Sequence, residues 1–472
     1  MTALSRRSRI GYSLGGIASG TYGTVPGLIL MPFLTDLLGV EAAVAGMIVF
    51  APKAWDFFLN PIAGRISDRS RHPHDRRRPF VLRAGILLAL AFAAMFFGPT
   101  APPLAGALWV LALFLASATV YAFFQVPYLA MSAEITDDYA ERTRLIAWRV
   151  VVFSLAILVS GAAAPALVEL AGGVAGYRIM AGAMAVLILV GTIGVWWGTR
   201  RAPLTRDEVA SGRLFGQLAE VLRDRDARAL IVAYVLQAIA IGMVLGGVVY
   251  VARHVVHDPS VATLAFVCFV GPAIVLTPVW SWLGRAIGKQ RGFAAASGVL
   301  TVGLLGLLGA RSGDVTVLLV AAGVVGVGYA GTQLFPLAML PDLAAEDAKR
   351  SGMNRIGMIS GVWSGFELLG YALGPAILGL VLSLGGYRAS AGDAVAQSGE
   401  AQWAIVLGVS AVPALLCAAS FLPLSRYRLD ARLRRAADAG GASAGGAGAG
   451  DAGGAGGAGT SRPAEENRAA GG

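Results

Sequence analysis

Apolar runs recur from about residue 10 to about residue 424, each close to the roughly 20 residues that cross a hydrocarbon core as a helix. A chain in lipid must satisfy its own backbone hydrogen bonds, so only helices and closed barrels are open to it. A barrel needs short segments that alternate in polarity, and these runs do not alternate. The expected spans are about 10–38, 41–66, 80–99, 105–133, 146–171, 177–199, 229–254, 261–284, 292–310, 315–341, 355–384 and 402–424. The fold class that follows is an all-α membrane protein with twelve transmembrane helices. Composition agrees, with 14% charged residues against the roughly 25% of an average soluble domain. The first run follows Arg6, Arg7 and Arg9 but carries Gly, Pro and Tyr throughout and lacks a clear small-residue cleavage site. It reads as a retained helix, not a signal peptide.

Orientation follows from the cations. Arg65, Arg69, Arg76, Arg77, Arg78, Arg142, Arg144, Arg285, Lys289 and Arg350 fall on one side of the predicted topology, whereas the other side has little beyond Arg178, Arg253, Arg311 and Arg388. Cation-rich short loops stay in the cytoplasm. Both termini are therefore expected there, in a multi-pass protein of the plasma (inner) membrane. The net charge of +10 is read as topology-setting cations beside anionic headgroups, with no nucleic-acid partner. Cys268 and Cys417 both fall inside predicted helices, with no partner at metal-ligand spacing, and are expected to be free thiols with no metal.

The longest polar interruption, Thr199 to Leu230, divides the helices six and six. The expected domains are an N-terminal bundle over 1–200, a cytoplasmic linker over 201–228 and a C-terminal bundle over 229–428. Leu214, Phe215, Leu218, Val221 and Leu222 give the linker a helical apolar spacing that suits a short interfacial helix. The Gly/Ala-rich stretch 436–472 lacks an apolar period and is expected to be a disordered tail.

The halves echo each other. "QVPYLAMSAEITDDYAER" (Gln125 to Arg142) and "QLFPLAMLPDLAAEDAKR" (Gln333 to Arg350) align at a constant offset of 208. Gln125 falls on Gln333, Met131 on Met339, Glu134 on Asp342 and Arg142 on Arg350. Both stretches close the fourth helix of a half. A duplication of six helices explains this, giving two six-helix bundles related by pseudo-two-fold symmetry, the repeat of the major facilitator fold.

Carboxylates inside the helices are costly, roughly 2.5–3.5 kcal/mol at mid-bilayer on insertion scales. Asp56 and Asn60 are four residues apart on helix 2, and Lys53 precedes Asp56 by three, so the trio shares a face. It could assemble oxygens for a small cation or let Asp56 take up a proton. Alternatively, Lys53 and Asp56 simply neutralise each other. Glu367 on helix 11 is the second such acid, either relaying protons and pairing with Arg149 of helix 5 or making a packing hydrogen bond to a Tyr or Trp. His72 and His74 form an HxH, but the flanking arginines favour a solvated loop.

The stretches "FLTDLLG" (Phe33 to Gly39), "PKAWDFFLNP" (Pro52 to Pro61), "GRISDRSR" (Gly64 to Arg71) and "FQVPYLAMSAEIT" (Phe124 to Thr136) resemble the glycoside-pentoside-hexuronide:cation symporters, the melibiose-carrier branch of the major facilitator superfamily. The likeness covers all twelve helices in outline. It implies that Asp56 matches the first of two helix-2 aspartates that hold a coupling Na+, Li+ or H+; the second is replaced by Asn60, which favours H+ over Na+. Lys53 stands where the family often has a basic residue, and Arg149 matches a cavity-lining arginine. The sugar-gripping acids of helices 4 and 1 become Gln125 and about Gly20, which argues against a melibiose-like sugar. Glu367 lies close to where sugar-transporting members carry a lysine. Asp68 and Arg69 resemble the superfamily's cytoplasmic gating motif, and Arg142 and Arg350 are grouped with them.

The sequence therefore reads as a secondary active transporter, not an enzyme, coupling H+ or Na+ to symport of a small organic solute such as a glycoside-like compound. The expected site is Asp56, Asn60 and Lys53 for the cation and Gln125, Arg149, Glu367, Trp363 and Gly20 for the substrate. No cofactor beyond the coupling ion is expected, and the chain is expected to work as a monomer among membrane lipids. A lysolipid or other amphipathic cargo, a proton-driven exporter and a transport-dead receptor remain open.

Overall fold

The computed structural model describes residues 5–68, 77–136, 139–200, 202, 221–351, 356–392, 395–430 and 432. The predicted HxH at His72 and His74, Arg69, most of the linker and the 436–472 tail lie outside the described residues. Met1–Tyr427 pack as one unit and Arg428–Gly472 form a second.

Helices dominate the first unit. They are α1 (Arg6–Val25), α2 (Ala42–Asp68), α3 (Arg78–Met95), α4 (Pro103–Ile135), α5 (Tyr139–Ala171), α6 (Gly173–Thr199), α7 (Arg225–Tyr250), α8 (Ser260–Ile287), α9 (Lys289–Gly306), α10 (Val315–Ser351) and α11 (Ile356–Leu384). The last span is built in three pieces, α12 (Gly399–Val409), α13 (Ala411–Ala419) and α14 (Phe421–Arg426). Eleven stretches among the described residues are long and apolar enough to cross a bilayer. The twelfth is α1, whose glycines and serines dilute its hydropathy without breaking the helix.

Those glycines have a packing reason. A Cβ at Gly11 would lie 2.4 Å from Gly198 Cα of α6, and one at Gly20 would lie 2.8 Å from Phe153 O and 2.9 Å from Ala156 Cβ of α5. Association inside lipid gains from such close backbone approach. Gly20→Val should therefore overpack the α1–α5 contact, at about 1–3 kcal/mol. The expected result is a lower thermal midpoint for the purified protein; an unchanged midpoint would place Gly20 elsewhere than in this contact.

The first helix of each half ends in a wider π turn, Phe33–Leu37 after α1 and Val251–Val255 after α7. Pro26 and Pro32 interrupt the ladder at the end of α1, since neither has an N–H to give and each ring crowds the carbonyl four residues back. These turns are the place where the halves meet. Thr35 Oγ1 lies 2.7 Å from Tyr250 Oη, and Ser390 N donates to Thr35 O at 2.9 Å. Nearby, α2 packs on α11 with Gly46 against Pro375 and Ala376 and Gly379 against Ala42, while α5 meets α8 where Gly161 receives Phe266.

At the opposite end, where α1 begins, the ion pairs found among the described residues stay within a half. Arg77 donates to Glu134 at 2.7 Å and Lys289 to Asp342 at 2.6 Å. Glu134 and Asp342 are the acids that the 208-residue offset superposes, so each half fastens its second-to-third helix corner to the end of its fourth helix. Arg350 donates to Asp224, the N-cap of α7, at 3.1 Å and to Glu346 at 3.0 Å.

Candidate functional site

Helix α2 has two faces. Trp55, Phe58, Ile62 and Ile66 are each close to half exposed, whereas Asp56 is 4% exposed and Leu59 and Ala63 are buried. The 3.6-residue period thus turns the bulky apolar residues to lipid and the carboxylate into the protein. Asp56 Oδ1 is buried without a hydrogen-bond partner. Around it, the Tyr22 and Tyr121 rings lie 4.5 Å apart at a 35° tilt, and both hydroxyls are within electrostatic reach of the carboxylate. Lys53 Nζ reaches across to Gly23 O of α1 at 3.4 Å rather than to Asp56. Asn60 is half-buried one turn on.

One further turn into the bundle, Ser19 Oγ of α1 donates to Gln125 Oε1 of α4 at 2.5 Å. Pro127 follows two residues later within α4, leaving a carbonyl of that turn without its usual donor. Arg149 of α5 lies 5.5 Å from the Tyr128 ring centroid and 5.7 Å from that of Phe153, and its Nε has no hydrogen-bond partner. Tyr128 is itself fixed by donating to Tyr12 O at 2.8 Å. A guanidinium over aromatic faces, with donors to spare, suits recognition of an oxygen-rich ligand. The expected pairing of Arg149 with Glu367 is not formed.

Glu367 sits instead in a cluster of the second half. Tyr234 Oη of α7 lies 2.5 Å from Glu367 Oε1 and 2.5 Å from Gln333 Oε1. Gln333 Nε2 donates to Tyr329 Oη at 2.9 Å and to Tyr371 Oη at 3.2 Å. The Tyr234 ring packs on Trp363 at 4.5 Å with a 31° tilt, and the indole Nε1 is buried without a partner. Gln125 and Gln333, repeat equivalents in the sequence, thus each take a hydroxyl from the first helix of their own half. The two clusters are linked through α2 and α11, where Phe57, next to Asp56, fills the notch left by Gly365.

The other predicted positions fall elsewhere. Gly20 presents the side a Cβ would occupy to α5, as described above. Arg142 donates to Thr136 O at 3.0 Å, and the Asp68 side chain lies outside the described residues.

The sequence reading missed Asp36. It accepts from Arg253 Nη1 at 3.2 Å, from Tyr387 Oη at 2.5 Å and from Thr35 Oγ1 at 2.8 Å, with His254 Nε2 at 3.3 Å. Ser390 Oγ and Gly392 N donate to its backbone oxygen at 2.8 and 3.1 Å. Burial and then the Asp36 carboxylate push the Tyr387 phenol well above its ordinary pKa, so it stays a donor. The signal was present in "FLTDLLG", an acid at a helix end, but its partners come from the π turn after α7 and the loop after α11.

The sequence profile described as MFS/sugar transport protein matches residues 11–431. The chain is 27% identical over 441 residues to the Putative glycoside/cation symporter YagG of Escherichia coli (strain K12), covering 92% of this chain and 94% of that one. It is 26% identical over 436 residues to the Isoprimeverose transporter of Lactiplantibacillus pentosus, covering 89% and 88%. In structure it resembles a bacterial homologue of the human drug peptide transporters PepT1 and PepT2, with a TM-score of 0.68 at 13% identity over 90% of this chain and 99% of that one. That last likeness speaks for the twelve-helix fold alone.

Proposed function

We propose that this chain, which belongs to the MFS/sugar transport protein family, carries a neutral glycoside-like solute across the plasma membrane together with a cation, by alternating access. The observation that carries the reading is Asp56, turned away from lipid with an oxygen left unpartnered, beside hydroxyls and amides of the central helices. A carboxylate so placed is sustained by a bound cation or proton. Asn60 adds a neutral oxygen where a Na+ site gains from a second charge, which favours H+. Gln125, Arg149 and Trp363 are the cargo-facing groups of this proposal. Amides both donate and accept, so Gln125 suits sugar hydroxyls without the paired carboxylates of a galactoside site.

The cation distribution supports cytoplasmic termini, and on that reading the halves meet at the outer end. The conformer described here is then the inward-facing one, with Arg142 and Arg350 towards the inner end. Transport would rock the two bundles so that the outer contacts part and the inner ends close. Coupling needs only that the bound cation favour the conformation that binds cargo.

The test is uptake into proteoliposomes under an imposed pH or Na+ gradient with a panel of labelled glycosides. Accumulation driven by the pH gradient is expected, and Gln125→Ala should raise KM for the transported compound about 2- to 10-fold, the worth of one hydrogen bond of about 0.5–1.5 kcal/mol. If neither gradient drives any glycoside and a lysolipid is moved instead, the cargo assignment fails.

A further inference from the structure

One hydroxyl proton cannot serve two acceptors, and Tyr234 faces two. Its oxygen is 2.5 Å from both Glu367 Oε1 and Gln333 Oε1. The orientation of the Gln333 amide is set on its other side, where Nε2 is 2.9 Å from Tyr329 Oη and 3.2 Å from Tyr371 Oη, distances that suit N–H donors. A separation of 2.5 Å suits O–H to O and is short for an amide N–H, so the amide oxygen belongs towards Tyr234. With Gln333 Oε1 taking the phenol proton, the short contact between Tyr234 and an ionised Glu367 would set two oxygens together with no hydrogen between them. A proton on Glu367 removes the conflict: the carboxyl O–H donates to Tyr234 Oη, and Tyr234 O–H donates to Gln333 Oε1.

The surroundings agree. The groups that the described residues bring to Glu367 and its immediate partners are neutral or aromatic: Tyr234 from α7, Tyr329 and Gln333 from α10, Trp363 and Tyr371 from its own helix, and Phe57 from α2 against Gly365. Of the charged groups on α2, Lys53 reaches Gly23 O and Asp56 lies beside Tyr22 and Tyr121. Among the described residues no lysine, arginine or histidine stands at ion-pairing distance from Glu367, and an unpaired carboxylate at this depth is costly. The residue is half-buried.

We infer that Glu367, with Tyr234 and Gln333, is a proton-binding site of the C-terminal half, distinct from Asp56 and occupied in this conformer. Asp56 of the first half then has a counterpart in the second, and α2 and α11, which carry the two acids, pack together across the interface. The inference adds a second ion site to the carrier reading above, and its test uses no cargo, so either can fail without the other.

The experiment is pH-difference infrared spectroscopy of the whole protein in lipid nanodiscs, in H2O and D2O, reading the C=O stretch of protonated carboxyl groups. At neutral pH the parent should show a deuterium-sensitive band that is lost in Glu367→Gln and kept in Asp56→Asn. Tyr234→Phe should keep the band but move it to the higher frequency of a less hydrogen-bonded acid. Should Glu367→Gln not fold, the Tyr234→Phe shift decides alone. A band unmoved by either substitution, or no band at all, would mean an ionised Glu367 with the Gln333 amide reversed, and the inference would be wrong.

Discussion

Asp56→Asn protein should reach the membrane and exchange cargo across it, yet fail to concentrate it. The amide keeps the size and an oxygen of the carboxyl group but can neither bind a proton nor carry charge, so the cation no longer biases one conformation over the other. A coupling free energy of about 1–3 kcal/mol corresponds to roughly 5- to 150-fold in affinity, and that factor is what the substitution removes. Insertion should not suffer, because a neutral side chain at this depth is cheaper than an acid. The measurement compares gradient-driven accumulation with cargo counterflow in the same proteoliposomes. Loss of accumulation with counterflow preserved is the expected pattern; accumulation at the parental level would remove Asp56 from the coupling step.

Opening of the outer end is the second large effect, expected for Asp36→Ala. In the conformer described here the Asp36 carboxylate is 12% exposed and holds Arg253, itself 24% exposed, together with Tyr387 and His254. Removing one member of a buried pair strands the other, at about 3–5 kcal/mol, and the partial exposure puts this cluster towards the lower end. When the bundles part, water can solvate Arg253, so the penalty falls on the closed state alone. A bias of about 3 kcal/mol corresponds to roughly a hundredfold in the conformational equilibrium. The reporter is Ser383→Cys, beside Glu41 at the closed end, in a background lacking Cys268 and Cys417. Alkylation by an impermeant maleimide from outside should become much faster when Asp36→Ala is added. An unchanged rate would show that the cluster does not hold the ends together.

The two substitutions act on different parts of one cycle, and their contrast is informative. Asp56 sits in α2 among the central hydroxyls, whereas Asp36 closes a seam built from the π turns after α1 and α7. The first should uncouple movement from the gradient while leaving both conformations accessible. The second should change which conformation dominates while leaving the cation site whole.

Much of this was legible in the residues. Length and hydropathy give the spans, because a helix must cross a fixed apolar thickness and no other open structure survives there. The structure extends several helix ends on the cation-rich side beyond the apolar runs, as where α10 continues to Ser351 against an expected end near 341. That extension is charged and amphipathic, so hydropathy alone does not register it. Internal duplication is visible at the offset that sets Gln125 on Gln333 and Glu134 on Asp342. The lipid-facing residues of α2 could be separated from Asp56 only because that helix carries an acid; on α6, where both faces are apolar, sequence gives no such cue, since lipid is as apolar as a protein core.

What the chain determines by itself, then, is the set of elements, their repeat and the few polar side chains too costly to leave in lipid without a partner. Which partners they find is a tertiary matter. Arg77 meets Glu134, Asp36 meets Arg253 and Tyr387, and Glu367 meets Tyr234 across separations that no local pattern encodes. Hydrogen bonds and ion pairs depend on distances of a few ångström, and those are fixed only when the helices pack.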